Sequence, residues 1–335
     1  MINRNWVSFM SLNNKTIAVI IPCYKVKDHI LEVIQTIPSF VDKIFAVDDC
    51  CPDKSGEFIK AHNTDPRVLI LKNNVNLGVG GAVCHGYAEA LKANIDIMVK
   101  VDGDGQMDPT LIEDLIDPLL INQADYAKGS RFHRPSSLSQ MPKVRLFGNT
   151  ALSFINKLVT GYWDIMDPTN GFTAICKDAL KEIPLEKINN RYFFESDMLF
   201  RLNLCKARVV DYFMDAKYGT EVSNLRISRV LFDFPPRYFQ RFIKRIFYQY
   251  FLRDFNFGSL SLLVGLPLFT FGVFFGGVKF IEYAIIRHTP APSGMVVIPS
   301  MLIILGTQFL ISFFQYDINS YPKTSLSIKR LNHGK

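Results

Sequence analysis

"VKVDGDGQMDP" (residues 99–109) decides how this chain is read. An apolar run stops abruptly on Asp102 and Asp104, set one glycine apart, and Pro109 closes the stretch. Two carboxylates this close repel each other and stay ionised only beside positive charge. The pair is therefore either a solvated turn or the grip on a cation. Gly103 removes side-chain bulk between the two acids, and Gln106 adds a neutral oxygen. Such a donor set suits Mg²⁺ or Mn²⁺, which keep several waters and share ligands with substrate phosphates. The strand end, the flanking glycines and companion carboxylates elsewhere favour the metal reading.

Upstream and downstream of that stretch, short apolar runs alternate with helical patterns. Strands are expected at 17–21, 43–48, 67–71, 95–102 and 124–129, with "DHILEVIQTI", "KSGEFIKAH", "GGAVCHGYAEALKAN" and "PTLIEDLIDPLL" between them. That alternation predicts an α/β domain built on a mostly parallel sheet. In such sheets ligands bind beyond the C-terminal strand ends. Three strands end there in polar signals: Pro22-Cys23-Tyr24, Asp48-Asp49 and Asp102-Gly103-Asp104. A single site explains all three. "NVNLGVGGAVCHGY" (74–87) invites a dinucleotide-loop reading, but Val83 stands where the third glycine belongs, and the loop follows the third strand rather than the first. A helix N-terminus with open N–H groups near the site is the remaining expectation.

Composition points to a membrane. Of 335 residues, 48% are hydrophobic and 28 are Phe, which is heavy for a wholly soluble chain. The excess lies in two stretches, 257–281 and 294–314, the first uncharged until Lys279 and the second carrying no charge. Crossing a hydrocarbon layer of about 30 Å takes roughly 20 helical residues. Pro267 and Pro299 are tolerable in such helices. Arg237, Arg241, Lys244, Arg245 and Arg253 precede the first stretch, and Lys323, Lys329, Arg330 and Lys335 follow the second. Only Arg287 lies between, so two spans are expected, with the N-terminal domain and both termini placed in the cytoplasm by the positive-inside rule. "RYFQRFIKRIFYQYFLRDF" reads as a basic amphipathic helix lying in the interface. The expected division is 1–225 α/β domain, 226–256 juxtamembrane, 257–316 membrane hairpin and 317–335 tail. The net charge of +7 concentrates at this boundary and makes anionic membrane lipid a better partner than nucleic acid. "IAVIIPC" is too short for a signal peptide. The six cysteines show no CxxC spacing and read as small buried thiols.

Taken together, "VIIPCY", "VDDCCPDKS", "NLGVGGA", "DGDGQMDP", "KGSRF", "RLFGN" and "DPTNGFTA" occur in order over about residues 17–200. In this the chain resembles the membrane-anchored family 2 glycosyltransferases, such as dolichyl-phosphate mannose synthase and bacterial polyprenyl-phosphate glucosyltransferases. The resemblance implies a GT-A (Rossmann-like) fold, a nucleotide-sugar donor, a divalent metal and a polyprenyl-phosphate acceptor. By position, Pro22, Tyr24, Asp48, Asp49 and Gly78 match the donor pocket, and Asp102, Gly103, Asp104 and Gln106 match the metal and diphosphate site. Arg131 and Arg145 match phosphate-binding arginines, and Asp167 the acidic residue before the "GF" signature. Ser228-Arg229 stands where the family carries Ser-Lys, which makes Arg229 a third candidate for the acceptor phosphate. The chain departs from the pattern at Lys25-Val26, where Asn-Glu is usual, and at Cys51, where serine is usual.

The implied reaction is inverting transfer, probed by product stereochemistry. A phosphomonoester dianion needs no strong general base, so the burden falls on the metal and on arginines. Asp167 orients the acceptor, takes a proton, or serves only as a turn residue beside Pro168. Arg131 has a plain surface ion pair as its alternative, and Glu195 reads equally as a solvated helix carboxylate or a site residue. A non-processive transferase extending a lipid-linked glycan is the alternative enzyme, and a non-catalytic membrane scaffold the alternative outside enzymes. UDP is preferred to GDP by default. The two-span tail is able to support a homo-oligomer, although no motif specifies one.

Overall fold

The computed structural model describes residues 15–132, 143–214 and 227–333, with the side chains of 143–147, 227–232 and 331–333 outside that description. Its contacts divide into two compact units, residues 1–242 with 322–335, and residues 243–321.

The first unit is built on a sheet that has seven strands among the described residues: β1 (Ile17–Cys23), β2 (Lys43–Asp48), β3 (Val68–Lys72), β4 (Ile97–Lys100), β5 (Tyr126–Ser130), β6 (Thr173–Cys176) and β7 (Val209–Phe213), in spatial order β3-β2-β1-β4-β6-β5-β7. β1 pairs in parallel with both β2 and β4, while β6 runs antiparallel between β4 and β5. The sheet is thus mostly parallel, as the alternation predicts. β6 and β7 escape the sequence reading, since "TAIC" is only four residues long and shows no alternation. Helices α1 (Ile30–Thr36), α2 (Ser55–His62), α3 (Val79–Lys92), α4 (Ile112–Leu120), α5 (Lys143–Thr160), α6 (Lys177–Lys181) and α7 (Phe194–Leu204) complete the layers. Ile17 to Ile21 are fully buried because both faces of β1 are covered, which is why the strand reads as an unbroken apolar run. One core lies on the side of α1 and α4, and the other on the side of α3 and α7.

α8 (Ile227–Phe247) continues from the first unit into the second. Tyr238 is buried and hydrogen-bonds Asn156 and Ser196, whereas Phe239, Ile243 and Phe247, spaced four apart, stand exposed on one stripe. The second unit holds α9 (Phe257–Phe280) and α10 (Ser293–Asn319), whose few charges, Lys279 and Asp317, lie near the helix ends. Both are long and apolar enough to cross a membrane, and α9 extends by a π-helical turn to Ile286. Both stay helical through Pro267 and Pro299. Gly306 lets them approach: a Cβ there would lie 2.5 Å from the Phe269 backbone nitrogen. Phe271, Phe274, Met301 and Ile304 are exposed, so the hairpin does not bury its own apolar surface.

After α10 the chain rejoins the first unit, where α11 (Leu326–His333) is anchored. The Leu326 N–H donates to Asp125 at 3.0 Å, and Arg330 pairs with Asp178 and Glu182.

Candidate active site

Strand direction sets the site. β1, β2 and β4 are parallel to one another, and β5 is parallel to β4 because both oppose β6. Their C-terminal ends therefore share one edge, which gathers Pro22, Tyr24, Asp48, Asp49, Asp102, Gly103, Asp104 and Arg131.

The acidic doublet follows β4 directly. Asp102 is partly exposed, and its Oδ1 accepts from the buried Lys100 ammonium at 2.7 Å. Gly103 turns inward, where a Cβ would touch Ile21, Val26 and Ile30 at 3.3 Å, so the core as well as the site requires a small residue there. Asp104 Oδ1 accepts from the Gln106 N–H at 3.1 Å across Gly105, whose φ of 77° is left-handed. Asp108, the third acid of the stretch, caps the following turn by accepting from the Thr110 N–H at 3.1 Å. Two carboxylates and an amide at an open strand end are hard oxygen donors. Too few for a closed all-protein cage, they fit an ion that shares its remaining positions with water and a diphosphate. Among the described residues no group of three or more His, Cys, Asp or Glu could hold a metal by itself.

The second-strand acids have a different task. Asp48 accepts from the Cys51 and Gly56 N–H groups at 2.8 Å each, and Asp49 from Leu77 at 2.9 Å and Gly78 at 2.7 Å. Both are buried, and they tie the loops bordering the nucleotide side to β2. The expected open helix N-terminus is taken up only in part. At the start of α3 the Gly78 N–H belongs to Asp49, and the Gly81 N–H donates to the Asn190 carbonyl. Gly78 has φ 87°, and a Cβ on it would lie 2.7 Å from that same carbonyl, so this glycine serves a close backbone approach. Tyr24 stands exposed at the β1 end, and Pro22 lies within β1 opposite Val47.

Arg131 and Asp167 form the other half of the site. Asp167 is fully buried and holds the guanidinium in a fork, with Nε to Oδ2 at 2.7 Å and an Nη to Oδ1 at 3.2 Å. Thr169 Oγ1 donates to the same carboxylate at 3.3 Å. Asp167 is thereby an anchor for Arg131, the most rigid presentation of a cation that recognises phosphate. Arg145 lies on α5 and Arg229 on α8, and both side chains fall outside the described residues. Beside Arg131 and Asp167 a cleft of about 310 Å³ is lined by Phe132, Thr150, Ser153, Phe154, Lys157 and Met166.

Two lysines escaped the sequence reading. Lys100 and Lys128 lie inside buried strands and donate to the carbonyls of Gly171 and Asn170, pinning the loop that carries Asp167 to the strand that carries the doublet. A lysine within an apolar strand was the available signal, because a buried ammonium must find partners. Burial pulls the Lys128 ammonium down to about 8, while at Lys100 burial is more than offset by Asp102 and Glu195, which hold it above the usual lysine value. Glu195 is no solvated helix acid. It lies 3.7 Å from Lys100, and burial raises its carboxyl against the pull of both lysines.

Known proteins carry the same pattern. Residues 18–184 match the family described as Glycosyl transferase family 2. A UDP-N-acetylglucosamine–dolichyl-phosphate N-acetylglucosaminyltransferase from Methanococcus voltae is 31% identical over 235 residues, which cover 66% of this chain and 93% of the relative. An undecaprenyl-phosphate mannosyltransferase from Micrococcus luteus is 29% identical over 170 residues, 50% of this chain and 69% of the relative. Among solved structures, glucosyl-3-phosphoglycerate synthase from Mycobacterium tuberculosis, in complex with Mn²⁺, uridine diphosphate and glucosyl-3-phosphoglycerate, aligns with a TM-score of 0.54 at 17% identity, covering 72% of this chain and 84% of that one. The shared fold is the GT-A arrangement expected from the sequence.

Proposed function

The chain belongs to glycosyltransferase family 2, and on that premise we propose that it transfers one sugar from a UDP-sugar to polyprenyl phosphate, with inversion, at the cytoplasmic face of a membrane. One observation carries the reading: the acidic doublet and the Asp167-anchored Arg131 stand at the same sheet edge, joined through the 167–171 loop that Lys100 and Lys128 hold. A donor diphosphate and an acceptor phosphate are both anionic, and this edge offers a distinct device for each.

Asp102, Asp104 and Gln106 would hold a Mg²⁺ or Mn²⁺ ion. Once bound, that ion supplies positive charge for the departing nucleoside diphosphate. Arg131 binds and orients the acceptor phosphate, and Arg145 and Arg229 are further candidates for that charge. Asp167 keeps the Arg131 fork aligned and has no need to accept a proton, since the phosphate is largely dianionic at neutral pH. A phosphate oxygen forms the new bond to the anomeric carbon while the bond to the diphosphate oxygen breaks, and the diphosphate leaves with the electron pair.

The membrane part of the reading rests on the hairpin and the tail. An even number of crossings brings the tail back to its starting side, and α11 belongs to the same compact unit as the sheet. The proposed division is a catalytic domain (1–225), a juxtamembrane segment (226–256), a hairpin (257–316) and a tail (317–335). The exposed Phe239, Ile243 and Phe247 stripe would lie at the headgroups, near the acceptor phosphate. The relatives' names, with dolichyl and undecaprenyl phosphate as acceptors, support the same lipid class.

Membranes containing the chain, incubated with polyprenyl phosphate and labelled UDP- and GDP-sugars in turn, provide the test. The expected product is a lipid monophosphate sugar from one UDP-sugar, with the anomeric configuration inverted by NMR. Label appearing only in a longer lipid-linked glycan would overturn the acceptor assignment, and retention at the anomeric carbon would overturn the displacement.

A further inference from the structure

Lys100 ends β4 and Lys128 lies in β5, and the two are register partners of a single residue, Thr173 of β6. They stand on the sheet face covered by α3 and α7, from which Glu195 approaches. Removing an ammonium from water is costly unless charge and hydrogen bonds replace the lost hydration. At Lys100, 1% exposed, the replacements are Asp102 Oδ1 at 2.7 Å, the Gly171 carbonyl at 3.2 Å and Glu195 Oε1 at 3.7 Å. The fit is close: a Cβ on Gly171 would collide with the ammonium and lie 2.7 Å from Asp102 Oδ2. An acid of the doublet is thus already paired with a cation that belongs to the chain.

We propose that Lys100 is a positioning residue acting as the resident counter-cation of the acidic doublet. Its ammonium stands 2.7 Å from Asp102 Oδ1 and cancels part of that carboxylate's charge. The doublet alone then binds a divalent ion weakly, and affinity rises when a diphosphate brings further negative charge to the same ion. Metal and donor are in this way made to bind together. The inference rests on reading Asp102 and Asp104 as the ion's carboxylates. A purely structural lysine would behave in the opposite sense: its loss would let Asp102 wander and would weaken metal binding or leave it unchanged.

The sign of the effect is the test. Mn²⁺ alone is titrated into the full-length protein in detergent, with free Mn²⁺ read by electron paramagnetic resonance. Lys100→Met should lower the Kd for Mn²⁺ roughly tenfold, because a unit charge within a few ångströms of a ligand oxygen no longer opposes the ion. Lys100→Arg, which keeps the charge, should stay within about twofold of the unaltered chain. Should Lys100→Met not fold by circular dichroism, Lys100→Met with Glu195→Gln removes a cation and an anion together and should still tighten Mn²⁺ by roughly threefold. Unchanged or weaker Mn²⁺ binding in the folded variant overturns the proposal. Asp104→Asn separates the two levels of the argument. If it leaves Mn²⁺ binding intact, the metal reading itself fails. If it abolishes binding while the Lys100 variant shows no tightening, only the counter-cation role fails.

Discussion

Arg131 and Arg245 each grip both carboxylate oxygens of a buried aspartate, and the two pairs are built for different ends. Arg131 keeps 30% of its side chain exposed while Asp167 beneath it is closed off completely. Arg245 and Asp317, in the second unit, are 1% and 2% exposed, and Tyr250 donates a further hydrogen bond of 2.6 Å to the same carboxylate. An ion pair sealed from water can only hold structure, because no ligand reaches it. One with a buried acid and an open guanidinium holds its cation still and presents it outward. In the first unit, Arg241 is likewise matched by Asp197 at 2.6 Å.

The largest effect should come from the open pair. Arg131→Lys, which keeps a positive charge beside the buried Asp167 but loses the fork, is expected to cut sugar transfer by roughly 10- to 100-fold, with the unfolding midpoint nearly unchanged, as measured by lipid-product formation beside thermal unfolding. Loss of stability in step with activity would erase the distinction between the pairs. Asp317→Ala should do the reverse. It leaves a buried guanidinium uncompensated and should cost about 3 kcal/mol of stability, read by denaturation in detergent. Asp211 supplies a smaller, pH-dependent effect. Its carboxyl is pushed up to about 7, chiefly by burial, and its Oδ2 accepts from the Met166 N–H one residue before Asp167. The folded chain holds that proton more tightly than the unfolded chain does. Stability from this group is therefore present at about pH 4 and is lost as pH rises through 7. Asp211→Asn should accordingly be stabilising by about 1–2 kcal/mol at pH 8 and close to neutral at pH 5, with unfolding curves at the two pH values as the check.

Local patterns carried most of the fold. Unbroken apolar strands, helical spacing and the strand-end acids located five strands and the shared edge, because parallel strands buried on both faces leave that signature. β6 was invisible for a physical reason: a four-residue strand inserted antiparallel is specified by its neighbours, not by its own periodicity. The doublet was readable from residue type and spacing. The Arg131–Asp167 fork was not, because 36 residues separate partners that only the sheet brings together. Lys100 and Lys128 were passed over as strand residues, although a charge inside an apolar strand marks the place where a partner must exist. The start of α3 shows the converse, a glycine-rich stretch that looked ready for anions and in which the Gly78 and Gly81 N–H groups are taken by Asp49 and the Asn190 carbonyl.

The role given to the cation faces its most direct trial in one experiment: purified full-length protein, labelled UDP-sugar and polyprenyl phosphate, with and without excess chelator, beside the Asp102→Ala, Asp104→Ala double variant. Transfer should vanish in chelator, return on adding Mn²⁺ or Mg²⁺, and stay absent in the double variant whatever metal is supplied. Undiminished transfer in chelator, or by the double variant, would contradict the account at its root.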